Sequence, residues 1–311
     1  MVPRIRQRRA ERTPLLGTTV RVQVLGLRAR AGRAVAAAVL DEIARLEALC
    51  SVFLADSALE RWKRAELADP GPEVAALLAG ALAHQQRWNG AFNPMVGELR
   101  RLWADAEARG APPDDAACAA AARAIAAPRY RIGPNGRPEA TGPVGGLEPN
   151  ALAKGWIVDR AVDRVRDDLG DATLIVDASG DLRHVGPVPV TVAVEDPRRG
   201  DAAPPIAVVT VADAGVATSG AARRGFTVAG RRHSHVLDPR TGRPVAGVVA
   251  VTVVAEDAAT ADVLATVCGV EPPEQARLVA DRAGVAWLAV STDGTVHTNA
   301  RWRDLPTPAA P

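Results

Sequence analysis

The spacing of apolar residues changes near Gly170, and this change constrains the fold more than any other feature of the chain. Before Gly170, most apolar residues recur every three or four positions, as on one face of an amphipathic helix. After Gly170, short β-branched runs are separated by Gly, Pro and Asp. Strands and helices do not alternate strictly, as they do in a doubly wound parallel sheet. The pattern therefore predicts an α+β fold, a single two-lobed domain with a helical first half and a strand-rich second half.

The same two periods predict individual segments. Valines that alternate with polar residues predict a half-buried strand over residues 19–25. One helix face is predicted by apolar residues at steps of three or four: Val35, Val39, Ile43, Leu46 and Cys50. Further helices are predicted over residues 73–88, 98–107, 116–126, 258–268 and 274–283. Further strands are predicted over residues 173–176, 188–194, 206–211, 248–254 and 286–290.

Composition excludes several classes of protein. A net formal charge of +2 over 311 residues gives no electrostatic footprint for nucleic acid. The chain contains no run of the ~20 apolar residues that a membrane helix needs. No apolar stretch follows the basic N-terminal residues, so they lack the core of a secretory signal. The three cysteines are far apart and form no CxxC pair, which favours buried free thiols. These features predict a cytoplasmic protein with no membrane span and no nucleic-acid partner.

Both ends of the chain are expected to lie outside the folded part. Residues 1–16 are rich in arginine, and such blocks of like charge usually stay solvated, so we expect a basic disordered tail. Residues 305–311 are expected to form a Pro-rich tail, which leaves residues 17–304 as the folded domain.

Lysine is rare in this chain. Lys63 and Lys154 are its only lysines, and every other residue among the 38 of the Lys and Arg class is arginine. A position that keeps lysine therefore suggests a need for a compact, flexible ammonium. Lys154 lies beside Gly155 at the start of a helical pattern. Lys63 lies in a charged helical stretch, where we expect it to be solvated surface.

Three segments of the second half carry residues suited to phosphate and metal chemistry: TSG (218–220), HSHVLDPRTGRP (233–244) and ADVLAT (261–266). Asp262 and Thr266 are four residues apart, so a helix would place both on one face and offer the oxygen ligands that Mg²⁺ prefers. His235 is a candidate proton acceptor, because the ordinary pKa of histidine lies near neutrality. Taken singly, these features also fit a helix cap, a turn and a core histidine. The GxGxxG, Walker A, HExxH and GxSxG patterns are absent from the sequence.

The order of these segments resembles the ApbE family, the FAD:protein FMN transferases. The resemblance spans about residues 17–290. Its segments, in order, are GTTV (17–20), CSVFLADSALERW (50–62), GAFNPMVGELRRLW (90–103), EPNALAKGWIVDRA (148–161), DASGDL (177–182), ATSGAARRGF (217–226), HSHVLDPRTGRPV (233–245) and ADVLAT. Chance does not account for so many matches in one order. The resemblance implies a T-fold-like architecture.

The resemblance also implies an activity and a set of site residues. The implied enzyme binds FAD with Mg²⁺ and transfers the FMN moiety to a Ser or Thr hydroxyl of a target flavoprotein, releasing AMP. The implied metal ligands are the side chains of Asp262 and Thr266 and the carbonyl of Ala151. His235 and Asp262 both stay open as the catalytic base. The implied FAD contacts are Leu16, Phe53, Ala91, Phe92, Asn93, Glu148, Lys154, Ser219 and His235.

Two of these positions depart from the family pattern, since Asn93 and Glu148 stand where relatives usually have Asp. Three other functions stay open beside FMN transfer. An FAD pyrophosphatase would give the FMN moiety to water, and a non-catalytic FAD-binding protein would hold FAD without turnover. An unrelated β-rich interaction module would not bind flavin at all.

Overall fold

The computed structural model describes residues 6–199, 203–220 and 225–307. Its first half is mostly helical: β1 (Gln7–Leu15), β2 (Thr18–Leu25), α1 (Ala29–Cys50), α2 (Ala58–Lys63), α3 (Pro72–Arg87), α4 (Gly97–Arg109), α5 (Asp115–Ala126), β3 (Tyr130–Ile132), β4 (Pro138–Ala140), α6 (Asn150–Asp163) and α7 (Arg166–Leu169). The second half is mostly strands: β5 (Thr173–Asp177), β6 (Asp181–Val185), β7 (Val190–Val194), β8 (Ala207–Val211), β9 (Gly215–Gly220), β10 (Gly225–Val228), β11 (Arg231–Ser234), β12 (Leu237–Asp238), β13 (Arg243–Pro244), β14 (Val248–Ala255), α8 (Ala258–Val270), α9 (Pro273–Ala283), β15 (Ala286–Ser291), β16 (Val296–Thr298) and α10 (Ala300–Arg303). The α+β prediction is confirmed.

An eight-stranded antiparallel sheet joins the two halves, with the order β1-β2-β5-β6-β9-β14-β15-β16. The pairing of β2 with β5 sets Arg21 opposite Asp177 and Leu25 opposite Thr173. These two strands are neighbours in the sheet although α1 to α7 separate them in sequence. The helices of the first half are therefore inserted between two neighbouring strands of one antiparallel sheet.

Alternation and helical spacing explain how the main core forms. On β2, Val20, Val22 and Val24 are fully buried on one face of the sheet. The predicted face of α1 is buried along its length and belongs to the same core cluster. Both sequence predictions are therefore confirmed, and α1 covers the sheet with the face that its spacing indicated.

A second, smaller core lies on the opposite face of the sheet. Neighbouring residues of β9 divide between the cores, with Ala217 in the larger cluster and Val216 in the smaller one. Since successive side chains of a strand point to opposite faces, the two clusters lie on opposite sides of the sheet. Val254 of β14 and Leu288 of β15 belong to the same cluster, and the β7–β8 hairpin and Trp302 of α10 pack against them. The sheet thus carries the long helices on one face, and the hairpin with the short helix α10 on the other.

The expected disordered tail over residues 1–16 is wrong for the part that the structure describes. Residues Gln7–Leu15 form β1, which pairs with β2 and places Ala10 opposite Val22. The strand forms because its backbone hydrogen-bonds to the N–H and C=O groups along the edge of β2. On the surface, Arg12 also forms an ion pair with Asp41 of α1 at 2.7 Å. Residues 1–5 lie outside the described part of the chain.

The expected Pro-rich tail begins at the edge of the smaller core. Thr210 N donates to Pro306 O at 2.7 Å, and Leu305 packs against the smaller cluster. Residues 308–311 are outside the described part. The prediction of buried free thiols is confirmed, because all three cysteines are free and buried. Within the described ranges, no helix combines the length and apolarity needed to cross a bilayer.

Candidate active site

Helix α6 places Lys154 against the turn between β5 and β6. Its Nζ lies 2.5 Å from Oδ2 of Asp181 and donates to Ala178 O at 3.3 Å. The same turn contacts β9, because Thr218 N donates to Gly180 O at 2.9 Å. The structure therefore brings together three segments that the sequence analysis singled out: EPNALAKGW, DASGDL and TSG.

Helix α8 packs closely on α6 at Gly155 and brings Asp262 close to Lys154. A Cβ at Gly155 would lie only 2.4 Å from Ala258 O, so this contact requires glycine. Oδ2 of Asp262 accepts from Gly155 N at 3.4 Å. Burial raises the pKa of Asp262, and the positive charge of Lys154 opposes that rise. Thr266 lies one turn further along α8 and is half-buried, as Asp262 is.

The oxygens at this helix contact suit a hard divalent cation. An α-helix pairs the N–H of residue i with the C=O of residue i−4, so the Gly155 amide also faces the Ala151 carbonyl. Among the residues that the structure describes, no three His, Cys, Asp or Glu side chains form a metal-binding group. One carboxylate beside neutral oxygens is a donor set that Mg²⁺ accepts, since it keeps several waters and takes further ligands from substrate phosphates. The residues present fit the expected ion.

Three of the residues predicted to line the FAD pocket lie together in the loop before α4. Ala91 and Phe92 are buried in the core, with 1% and 3% of their surface exposed. Asn93 is also buried, where its Nδ2 donates to Ile125 O at 2.9 Å and its Oδ1 accepts from Met95 N at 2.8 Å. Its amide therefore fixes the loop before α4. The departure from Asp at this position has a structural reason, because an ionised carboxylate could not donate to the Ile125 carbonyl.

Glu148 lies beside that loop. Glu148 N donates to Pro94 O at 2.6 Å, and its carboxylate forms an ion pair with Arg100 of α4. The loop between β4 and α6 approaches α4 closely, since Gly97 N donates to Gly146 O at 3.1 Å. These contacts bring the GAFNP and EPN segments together next to the first turn of α6.

Leu16 and Phe53 occupy two other loops. Leu16 is half-buried at the β1–β2 turn and has a left-handed backbone, with φ of 53°. Phe53 lies between α1 and α2 with 71% of its surface exposed, so its ring is available to a ligand or a partner. Burial raises the pKa of Glu47 of α1, and the hydrogen bonds that its carboxylate accepts from the backbone of Leu16 and Gly17 oppose that rise.

Ser219 lies on β9 opposite Val251, so it is part of a strand and not of a turn. A small cavity of about 10 Å³ is lined by Ser219 together with Ser234 and Val236, the two neighbours of His235. The structure thereby brings the TSG and HSH segments together. His235 itself is half-buried between β11 and β12.

Trp103 of α4 anchors the segment that carries His235. Its ring centroid lies 5.1 Å from that of His233, and its Nε1 donates to Gly242 O at 2.9 Å. Burial, together with the charge of Arg231, lowers the pKa of His233. The first histidine of the HSH segment is therefore packed against tryptophan, while the two neighbours of the second line a cavity with Ser219.

The expectation for Lys63 is wrong. Only 7% of its side chain is exposed, and its Nζ lies 2.5 Å from Oε1 of Glu60 and donates to Leu147 O at 3.0 Å. The compact ammonium ties α2 to the residue before Glu148. The rarity of lysine was the signal that could have identified this position. Asp181, the partner of Lys154, gave no comparable signal, since an Asp at the end of a turn is common.

A larger cavity of about 390 Å³ opens on a different face of α6. Asp159, Arg160 and Arg183 line it, and none of the residues predicted for the site does. Asp159 holds α8 in place there, because its carboxylate accepts from Ala258 N at 3.0 Å and from Ala259 N at 2.8 Å. The Asp159 carboxylate thus fixes the first turn of α8 against α6.

Comparison with known proteins identifies the family. The ApbE family profile matches residues 16–289. A relative from Klebsiella pneumoniae named FAD:protein FMN transferase is 30% identical over 292 residues, covering 90% of this chain and 83% of the relative. A relative of the same name from Treponema pallidum is 33% identical over 244 residues, covering 72% and 67%. The crystal structure of an ApbE protein from Thermotoga maritima has a TM-score of 0.82 at 28% identity, covering 96% of this chain and 98% of that one.

The fold and these relatives define the class of this protein as a transferase enzyme. The chain belongs to the ApbE family. The flavin transferase ApbE from Vibrio cholerae shares the fold, with a TM-score of 0.77 at 22% identity over 97% of this chain and the whole of that one.

Proposed function

We propose that this transferase moves the FMN moiety of FAD to a Ser or Thr hydroxyl of a target flavoprotein and releases AMP. The observation that carries the proposal is the convergence at the α6–α8 contact. There, the Lys154 ammonium, the Asp262 carboxylate and the amide of Gly155 lie within one small region. A diphosphate ester needs fixed positive charge and oxygen ligands for a cation, and this region supplies both.

The residues of the chain have distinct proposed tasks. The oxygen of the target hydroxyl attacks the phosphorus of the FMN moiety. A new P–O bond forms while the bond from that phosphorus to the bridging oxygen breaks, and AMP leaves with that oxygen. Lys154 balances charge on the phosphates. His235 takes the proton of the target hydroxyl, with Asp262 as the other candidate.

Asp262, Thr266 and the Ala151 carbonyl would hold Mg²⁺, which supplies charge neutralisation at the pyrophosphate oxygens. Phe53, which is exposed, would contact the flavin or the target. The buried Ala91, Phe92 and Asn93 would shape the pocket wall through the loop that they fix, and Glu148 and Leu16 would line its edges.

The test incubates the protein with FAD, Mg²⁺ and a target domain that carries the acceptor Ser or Thr. We expect the target to gain the mass of one FMN less water, with release of one AMP for each target modified. Asp262→Asn and Thr266→Val should abolish Mg²⁺-dependent labelling. Thr260→Val is the matched control, because Thr260 lies on the same helix and lines the other cavity. Full labelling by Asp262→Asn would contradict the metal assignment.

Other outcomes of the same assay identify the alternatives. Release of FMN and AMP without any target indicates a pyrophosphatase, and FAD bound without products indicates a carrier. For the base, we expect His235→Ala to slow transfer by about 10²- to 10⁴-fold while FAD affinity changes little. Equal losses in rate and affinity would make His235 a binding residue.

A further inference from the structure

Asp181 is a buried acid of the DASGDL segment, and neither the sequence pattern nor the family resemblance assigned it a role. It opens β6 after a tight turn in which Ser179 and Gly180 have left-handed backbones, with φ of 52° and 114°. Its own backbone is fixed, because Ala178 N donates to Asp181 O at 2.8 Å and the residue pairs with Ala217 of β9. Only 3% of its side chain is exposed. The carboxylate therefore has a fixed position below the surface of the site.

The ion pair of this carboxylate is with Lys154, whose Nζ lies 2.5 Å from Oδ2. A buried carboxylate without a cation is strongly unfavourable, so this pair holds α6 against the sheet at Asp181. Lysine carries a long flexible side chain, and an ion pair with a rigid acid removes much of that freedom before any ligand arrives.

Lys154 has a second acid nearby, since its charge acts on Asp262 across the α6–α8 contact. The charge of Lys154 therefore acts on one acid of the sheet and on one acid of α8. About a third of the lysine side chain, 32%, remains exposed, whereas Asp181 is almost fully buried. A phosphate can therefore approach the lysine side chain while its ion pair with Asp181 is kept.

We propose that Asp181 is a positioning residue for transfer, whose carboxylate holds the Lys154 ammonium where the FAD pyrophosphate must meet it. The proposal rests on the function proposed above. It has a distinctive consequence, because Asp181 adds negative charge near a site for a polyanion. FAD affinity does not explain such a charge, whereas orientation of Lys154 does.

The consequence is a separation of affinity from rate. In Asp181→Asn, which keeps the side-chain shape, we expect FAD to bind as tightly as in the wild type or more tightly. Transfer should slow by roughly 10- to 100-fold, the loss typical when a supporting partner of a functional side chain is removed. FAD binding is measured by quenching of flavin fluorescence, and transfer is measured by intact mass in a single turnover.

A double-mutant cycle shows whether Asp181 acts through Lys154. Asp181→Asn, Lys154→Gln and the double variant are compared, each normalised to the folded fraction from circular dichroism. We expect the double variant to transfer no more slowly than Lys154→Gln alone. Additive losses would overturn the proposal, as would a wild-type rate in Asp181→Asn.

A second readout does not depend on turnover. Lys63 and Lys154 are the only lysines of the chain, so acylation of each amine can be followed by peptide mass. We expect Asp181→Asn to make Lys154 react faster and to leave Lys63, which is held by Glu60, unchanged. An unchanged rate at Lys154 would overturn the pairing. Wild-type protein that transfers no FMN would refute the proposed function, while this labelling comparison would still decide the pairing.

Should Asp181→Asn fail to fold, Asp181→Glu serves as the second variant, since it keeps the charge and moves it by one methylene. We expect Lys154 to stay protected from acylation and transfer to slow. A wild-type transfer rate in this variant contradicts a positioning role.

Discussion

Gly155 offers a sharp test of the α6–α8 contact, because both proposed functional helices meet there. An added Cβ would lie 2.4 Å from Ala258 O, 2.6 Å from Ala258 C and 2.8 Å from Ala259 Cα, whereas ordinary contacts begin near 3.4 Å. All three atoms belong to the backbone and cannot rotate away. Alanine at this position therefore has to push the helices about 1 Å apart.

The expected energy follows from two opposing terms. Overpacking of a core costs about 1–3 kcal/mol, and backbone contacts belong at the upper end of that range. Alanine in a helix interior gains about 1 kcal/mol over glycine. We therefore expect Gly155→Ala to destabilise the protein by about 1–2 kcal/mol, which lowers Tm by a few degrees for a chain of this size.

The matched control is Gly80→Ala in α3. A Cβ at Gly80 would lie 3.6 Å from Leu152 Cδ2, an ordinary contact, so only the helix gain remains and Tm should rise. The assay is thermal unfolding followed by circular dichroism, together with the FMN transfer assay. A displacement of about 1 Å near reacting groups can cost about 10²-fold in rate, so Gly155→Ala should also transfer poorly. A rise in Tm equal to that of Gly80→Ala would refute the close contact.

Two further predictions follow from buried polar contacts. Burial raises the pKa of Asp159 from 3.8 to about 6, so the folded state binds a proton that the unfolded state has released. Its contribution to stability is thus largest below about pH 4 and is lost as the pH rises through about 6. In Asp159→Asn, the urea midpoint of unfolding should lose this dependence on pH when it is measured across pH 4–7. A pH dependence equal to that of the wild type contradicts the raised pKa. Trp103→Phe leaves the buried Gly242 carbonyl without its donor, so it should destabilise the protein by about 1–3 kcal/mol in urea unfolding. Transfer should also slow, because the segment that carries His235 loses its anchor. A wild-type urea midpoint would contradict this anchoring role.

The sequence predicted those parts of the fold in which local spacing and burial agree. The α1 face and the β2 valines show this agreement, because each repeats with the period of its element. The strand β9 was missed, since its Gly, Thr and Ser residues have little strand preference and are held by pairing with β14. The strand β1 was missed because its arginines suggested solvation, whereas the edge of β2 provides its hydrogen bonds.

The candidate site divides in the same way. Asp262 and Thr266 could be placed on one helix face from their spacing alone. The contact of that helix with Gly155 could not be predicted, because it depends on a packing between residues about a hundred positions apart. Asp181 takes its role from Lys154 on another element, so no local pattern marks it. For Lys63 the rarity of lysine was the available signal, because its contact with Leu147 O joins residues far apart in sequence.

The insertion of α1 to α7 between β2 and β5 also affects how the chain folds during its synthesis. The N-terminal hairpin of the sheet receives its next strand only after residues 26–172 have been synthesised, which takes about 7–30 s at ordinary ribosome rates. During that interval the edge of β2 that pairs with β5 lacks its strand partner. The early nascent chain is therefore a natural client for a ribosome-associated chaperone.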